Sequence, residues 1–141
     1  KATDDDLKAL AQTCTPATFG RHNEDVLDES YRKAGKLDTS DFSVNFVPLH
    51  SEDLARVLRE SLLEGHDTSR SIKAELYKLN IYGPGAFFKA HKDTPRAENM
   101  FGSLVVVYPT PHEGGALILC HRGKEWEFDS GKILASRTSP T

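Results

Sequence analysis

Ile72-Lys-Ala-Glu-Leu-Tyr-Lys-Leu-Asn-Ile-Tyr82, then Gly83-Pro84-Gly85, then Ala86-Phe-Phe-Lys-Ala-His-Lys-Asp93, is the stretch that decides the fold. In its first part Ile72, Ala74 and Leu76 alternate with Lys73, Glu75 and Tyr77. Successive side chains of a strand point to opposite faces, so this alternation predicts a strand with one apolar face. The apolar face then passes to Leu79 and Ile81, a switch that a β-bulge produces. Gly83-Pro84-Gly85 predicts a turn, and Phe87 to Asp93 a return strand. At the end of that strand His91 and Asp93 stand two residues apart. An extended backbone would present their imidazole and carboxylate side by side, with Lys92 facing away. A His and a carboxylate are two members of the two-His-one-carboxylate set that holds non-haem Fe(II) and leaves positions open. His-x-Asp alone is also what an ordinary solvated turn contains.

Upstream the period is helical. Thr3 predicts an N-cap, with Asp4, Asp5 and Asp6 in a first turn where the helix dipole favours acids. Leu7, Leu10, Ala11 and Cys14 form the stripe, and Pro16 ends the helix. A second helix is expected from Asn23 to Ala34, on Val26, Leu27, Ser30 and Tyr31, with Gly35 as its stop. Ser43 to Val47 reads as a short strand. Ser51 caps a third predicted helix through Glu64, stopped by Gly65.

Downstream, the continuous apolar run Ser103 to Tyr108 predicts a strand buried on both faces. Pro109 to Gly114 reads as a loop. Gly115 to His121 and Glu125 to Phe128 predict a hairpin around Arg122-Gly123-Lys124, and Lys132 to Ala135 a further short strand. Helices first and strands after predict an α+β fold. Its expected form is N-terminal helices packed on an antiparallel, incomplete jelly-roll core.

With 141 residues the sequence is expected to form one domain, residues 1–65 supplying helical support and 66–141 the β core. The formal charge is −3, and Lys and Arg are scattered among acids, which argues against a nucleic-acid partner. No apolar stretch approaches the roughly 18 residues that cross a bilayer, which argues against a membrane one. Lys1-Ala-Thr-Asp-Asp-Asp is no signal peptide. Cys14 and Cys120 are expected as two free buried thiols of an intracellular protein, a single long-range disulfide being the other reading.

The segment from Glu75 to Ile133 resembles the 2-oxoglutarate/Fe(II) dioxygenases of the prolyl-4-hydroxylase type, and fungal members in particular. The resemblance is carried by the Tyr-bearing strand, the Gly-Pro-Gly turn, Phe87-Phe88, His91-Lys-Asp93 and the later Gly114-Gly115-Ala-Leu-Ile-Leu. It implies a jelly-roll core, His91 and Asp93 as metal ligands, and Fe(II) and 2-oxoglutarate as cofactors. It also implies a tyrosine at the co-substrate pocket, for which Tyr77 is preferred over Tyr82, and hydroxylation of a protein side chain or small molecule. The family places a second His on a strand well downstream, followed by a basic residue that anchors the co-substrate. This sequence ends at Ser139-Pro140-Thr141, before those positions. His112, in a Pro-rich loop, and His121, at a strand end, are its only later histidines, and Arg137 lies too early for the anchor.

The expected site is therefore incomplete: two metal ligands, and no bidentate charged partner for a dicarboxylate. Two alternatives stay open, a non-catalytic binding or interaction protein on the same fold and a metal-dependent hydrolase using His91 and Asp93. A jelly-roll lacking its last strands would also expose edges for self-association. Phe87, Phe88 and Trp126 read as core, Arg96 as a surface loop residue, and Gly114-Gly115 as a loop end or a close backbone approach. No Gly-x-Ser-x-Gly, phosphate loop, Cys-x-x-Cys or His-Glu-x-x-His occurs.

Overall fold

The computed structural model describes residues 2–21, 24–45, 52–63 and 71–138. Its contacts form two compact units, one of Lys1–Gly35 with Ile81–Thr141, the other Lys36–Asn80.

The first unit opens with α1, Asp4–Thr13, where the sequence predicts it. The Thr3 hydroxyl accepts from the Asp6 backbone N–H at 3.2 Å, and the Asp6 carboxylate accepts from the Thr3 N–H at 2.8 Å. Two N–H groups left over at the helix start are thus satisfied reciprocally. The same two groups of Thr3, backbone first, hold the Asp6 carboxyl below its ordinary value. Cys14, in extended conformation, closes the helix two residues before Pro16.

Residues 24–34 are not the predicted helix. They form β3, Glu24–Val26, a turn, and β4, Arg32–Lys33; Asn23, the expected cap, lies outside the described residues. Asp28 is the physical reason. Its carboxylate accepts from the Ser30 N–H at 2.9 Å and the Ser30 hydroxyl at 2.6 Å, while its carbonyl accepts from the N–H groups of Tyr31 and Arg32. An Asp that captures the backbone two residues on competes with helix propagation. The apolar positions read as a helical stripe serve strands instead. Val26 of β3 pairs with Phe19 of β2, Phe19–Arg21.

β4 pairs antiparallel with β7, Phe87–Phe88, Arg32 opposite Phe88. Around this pair Phe19, Tyr31 and Phe88 pack with ring centroids 4.6 to 6.2 Å apart. Arg32, buried at 8 % exposure, lies over the Phe88 ring at 4.4 Å and donates to the Thr18 carbonyl. The guanidinium takes a cation–π contact and a hydrogen bond in place of the water it loses. The expected return strand from Phe87 to Asp93 is thus two residues long, and its partner is β4, not the strand before the turn. The turn itself is formed, Ala86 N–H donating to the Gly83 carbonyl at 3.0 Å.

The predicted hairpin is present as β8, Leu117–His121, and β9, Lys124–Phe128, with His121 opposite Lys124. Arg122 and Gly123 take φ of 48° and 75°. Two successive positive φ values make a turn whose twist matches the flanking strands. Residues 132–135 are helix rather than strand, within α3, Ser130–Thr138. Asp129 is the overlooked signal: its carboxylate accepts the Lys132 N–H at 3.0 Å and so caps the helix. Residues 103–108 form no strand, and Leu104, Val105 and Val107 are at least half exposed. A β-branched run becomes a buried strand only where a partner supplies a ladder, and none lies beside it among the described residues.

The second unit holds α2, Glu52–Leu62, at the position of the third predicted helix. Ser51, Glu64 and Gly65, its expected cap and ends, lie outside the described residues. Most of β5, Gly35–Asp38, and of β6, Lys78–Ile81, belong here and neighbour each other in one sheet, with Leu37 buried. The long strand predicted from Ile72 is shortened to β6, and residues 43–45 form no strand. Val47, the expected end of that strand, lies outside the described residues.

The chain is therefore α+β, with three helices and several small sheets among the described residues. Those sheets close no barrel. Both cysteines are free, but neither is buried: Cys14 is half-buried and Cys120 exposed. No helix among the described residues is long and apolar enough to cross a membrane.

Candidate functional site

His91 and Asp93 lie in the irregular segment that follows β7. Tyr31 ties this segment down at two points: its carbonyl accepts the Lys89 N–H at 3.0 Å, and its hydroxyl donates to the Ala90 carbonyl at 2.9 Å. The His91 ring stacks on Phe88, centroids 3.6 Å apart and planes 19° from parallel. Its Nδ1 lies 2.8 Å from the Lys89 carbonyl. A carbonyl only accepts, so Nδ1 carries the hydrogen of this bond, and in the neutral ring Nε2 carries the lone pair.

That lone pair faces Asp93: Nε2 stands 3.6 Å from Asp93 Oδ1. The other carboxylate oxygen, Oδ2, accepts from the Ser103 hydroxyl at 2.7 Å. The two side chains come together although the segment is not the expected strand, one third exposed for His91 and 60 % for Asp93. Two acceptor atoms at this separation leave space for a cation, since donors about 2.1 Å from one ion stand roughly 3 to 3.6 Å apart. The alternative is a protonated imidazole paired weakly with the carboxylate, and solvent exposure would make such a pair worth little.

Among the described residues no group of three or more His, Cys, Asp and Glu comes together. His112 does not supply a third donor, because Nδ1 is bonded to the Thr110 carbonyl at 2.6 Å and Nε2 to the Ser130 hydroxyl at 2.9 Å. His121 ends β8 opposite Lys124. Tyr77 belongs to the second unit, is 45 % exposed, and carries the Lys78 ammonium 4.8 Å from its ring. Arg96 donates its backbone N–H to the Met100 sulfur at 3.4 Å.

Sequence reasoning missed Ser103, Tyr31 and Phe88 as the residues that hold the pair. Phe88 stood in the sequence only as a core aromatic, and Ser103 only as a strand start. Phe88 is only three residues before His91, but nothing local in the sequence links Ser103 or Tyr31 to the pair.

No family model matches this sequence, and no curated protein or solved structure matches it either.

Proposed function

We propose that His91 and Asp93 are two protein ligands of a divalent-metal site of the Fe(II)/2-oxoglutarate dioxygenase type. The domain carrying them would hydroxylate a protein side chain or small molecule. One observation carries this reading: the Lys89 carbonyl fixes Nδ1 as the donor, and Nε2, left with the lone pair, stands 3.6 Å from a carboxylate oxygen. Metal-binding histidines are typically held in this manner, the second ring nitrogen donating to a carbonyl or carboxylate. Ser103 does the same for the carboxylate, fixing Oδ2 and leaving Oδ1 towards the imidazole.

The residues fit half of such a site. His91 Nε2 and Asp93 Oδ1 would hold the ion, and Phe88 would keep the ring from rotating away. When bound, Fe(II) with 2-oxoglutarate supplies O2 activation for hydroxylation. The incomplete jelly-roll template and the role of Tyr77 at the co-substrate belong to the same reading and rest on the resemblance of residues 75–133. Two donors hold Fe(II) more weakly than three. Mn²⁺ offers a probe that does not depend on turnover. Titrated into the full chain, it should broaden the ring-proton resonances of His91 before those of His112 and His121. Equal broadening of all three would count against the site.

A further inference from the structure

We propose that Ser130 and His112 form a nucleophile–base pair that hydrolyses small carboxylic esters, through residues that the metal reading does not use. The Thr110 carbonyl, 2.6 Å from Nδ1, only accepts, so Nδ1 carries the hydrogen of that bond. The lone pair of the neutral ring is then on Nε2, which accepts the Ser130 O–H at 2.9 Å. A hydroxyl bonded to a base, with the base oriented by a third group, is the arrangement that activates a serine. Here the third group is a main-chain carbonyl, which fixes the tautomer. Asp129 and Glu113 line the adjoining cleft with His112.

The fold brings the pair together by a close backbone approach. Asp129 caps α3, which places Ser130 in the first helical turn. Gly131 follows it, and a Cβ there would stand 2.6 Å from the His112 carbonyl oxygen. Only glycine lets the start of α3 lie this close to His112, so Gly131 is a positioning residue for the pair. The cleft beside His112, lined also by Asp129 and Gly131 on either side of Ser130, is open and has a volume of about 250 Å³. That is below the range of about 300 to 1,000 Å³ typical of sites for drug-sized ligands, so an ester taken there would be a small one. Lys132, also in its lining, is paired with Asp129, its ammonium 2.9 Å from Oδ2.

In the reaction Ser130 Oγ adds to the ester carbonyl carbon while its proton passes to His112 Nε2. The carbonyl oxygen takes up the negative charge. Collapse re-forms the C=O bond and breaks the C–O bond to the alcohol, which leaves with the proton from His112. Water then repeats the sequence at the acyl-serine, releasing the carboxylic acid and restoring Ser130.

The test uses the full chain, with EDTA present so that no metal assists. A fluorophosphonate, which phosphorylates activated serines, is added, and the adduct is mapped by peptide mass. p-Nitrophenyl acetate hydrolysis is followed in parallel. One adduct per chain on Ser130 is expected, together with a burst of p-nitrophenolate. His112→Gln should slow labelling at least about 100-fold, and Ser130→Ala should abolish both signals. The wild-type adduct map does not depend on how any variant folds. An unlabelled chain, an adduct on another residue, or a His112→Gln chain labelled at the wild-type rate overturns the proposal.

Discussion

His91 is oriented by contacts that lie far from it in sequence as well as near. Lys89 is two residues away and sets the tautomer, while Tyr31 fixes the backbone at Ala90 across 59 residues. The nearness of His91 to Asp93 was legible from their separation by one residue, although the segment is irregular and not the expected strand. Two of its supports were not, because Ser103 and Tyr31 reach the segment from ten and 59 residues away, through contacts that no spacing encodes. Ser103 is the direct place to test them. Removing its hydroxyl frees Asp93 Oδ2, and loss of such a supporting bond costs about 10- to 100-fold in metal affinity. Ser103→Ala should therefore weaken Mn²⁺ binding by about tenfold or more while leaving the far-UV circular dichroism unchanged. A second residue-level prediction concerns acid. Asp129 is held below its ordinary value of 3.8, chiefly by the Lys132 N–H and then by the Lys132 ammonium. Asp28 is held low by the Ser30 hydroxyl and N–H. A depressed carboxyl stabilises the fold above its ordinary value and loses that contribution as pH falls through the lower folded value. The melting temperature should thus be insensitive to these groups above about pH 5 and fall below pH 3.8. Asp129→Asn and Asp28→Asn should each flatten that acid limb. An unchanged limb in both would contradict the assignment.

Elements were legible where a local signal is sufficient to define them. Thr3 with three following acids marked α1, and Arg122-Gly123 between apolar runs marked the β8–β9 turn. They were misread where a side chain redirects the backbone. Asp28 turned a helical stripe into a turn, and Asp129 turned a strand-like Ile133-Leu134 into the first turns of α3. The same Asp chemistry, a carboxylate accepting backbone N–H groups, breaks a helix in one place and starts one in the other. The turn at Arg122-Gly123 gives the sharpest element-scale prediction. Gly123 has φ of 75°, and alanine there costs about 1–2 kcal/mol. Gly123→Ala should lower the melting temperature measurably, whereas Gly102→Ala, with nothing within 4 Å of the added Cβ and no positive φ, should change it little.

At the scale of the whole molecule the α+β class was legible from the mixture of helical and alternating stretches, but the order of helices before strands and the sheet architecture were not. Alternation says which residues share a face and is silent about which strand lies alongside. Leu117, Leu119, Trp126 and Phe128 share one face of the β8–β9 hairpin through their cross-strand pairing, yet all are 44 to 49 % exposed. The run 103–108 carries the same apolar signal without a ladder. Two donors and no third among the described residues also set an expectation for activity. The chain of residues 1–141, supplied with Fe(II), ascorbate and 2-oxoglutarate, should release little or no succinate, because metal and co-substrate must be held together for the reaction. Binding of the ion itself is the more direct test. Calorimetric titration of Mn²⁺ into the full chain at neutral pH should show one weak site, lost in both His91→Ala and Asp93→Ala and retained in His121→Ala. A wild-type chain that binds no ion, or single variants that bind as the wild type does, would contradict the assignment of His91 and Asp93 as metal ligands.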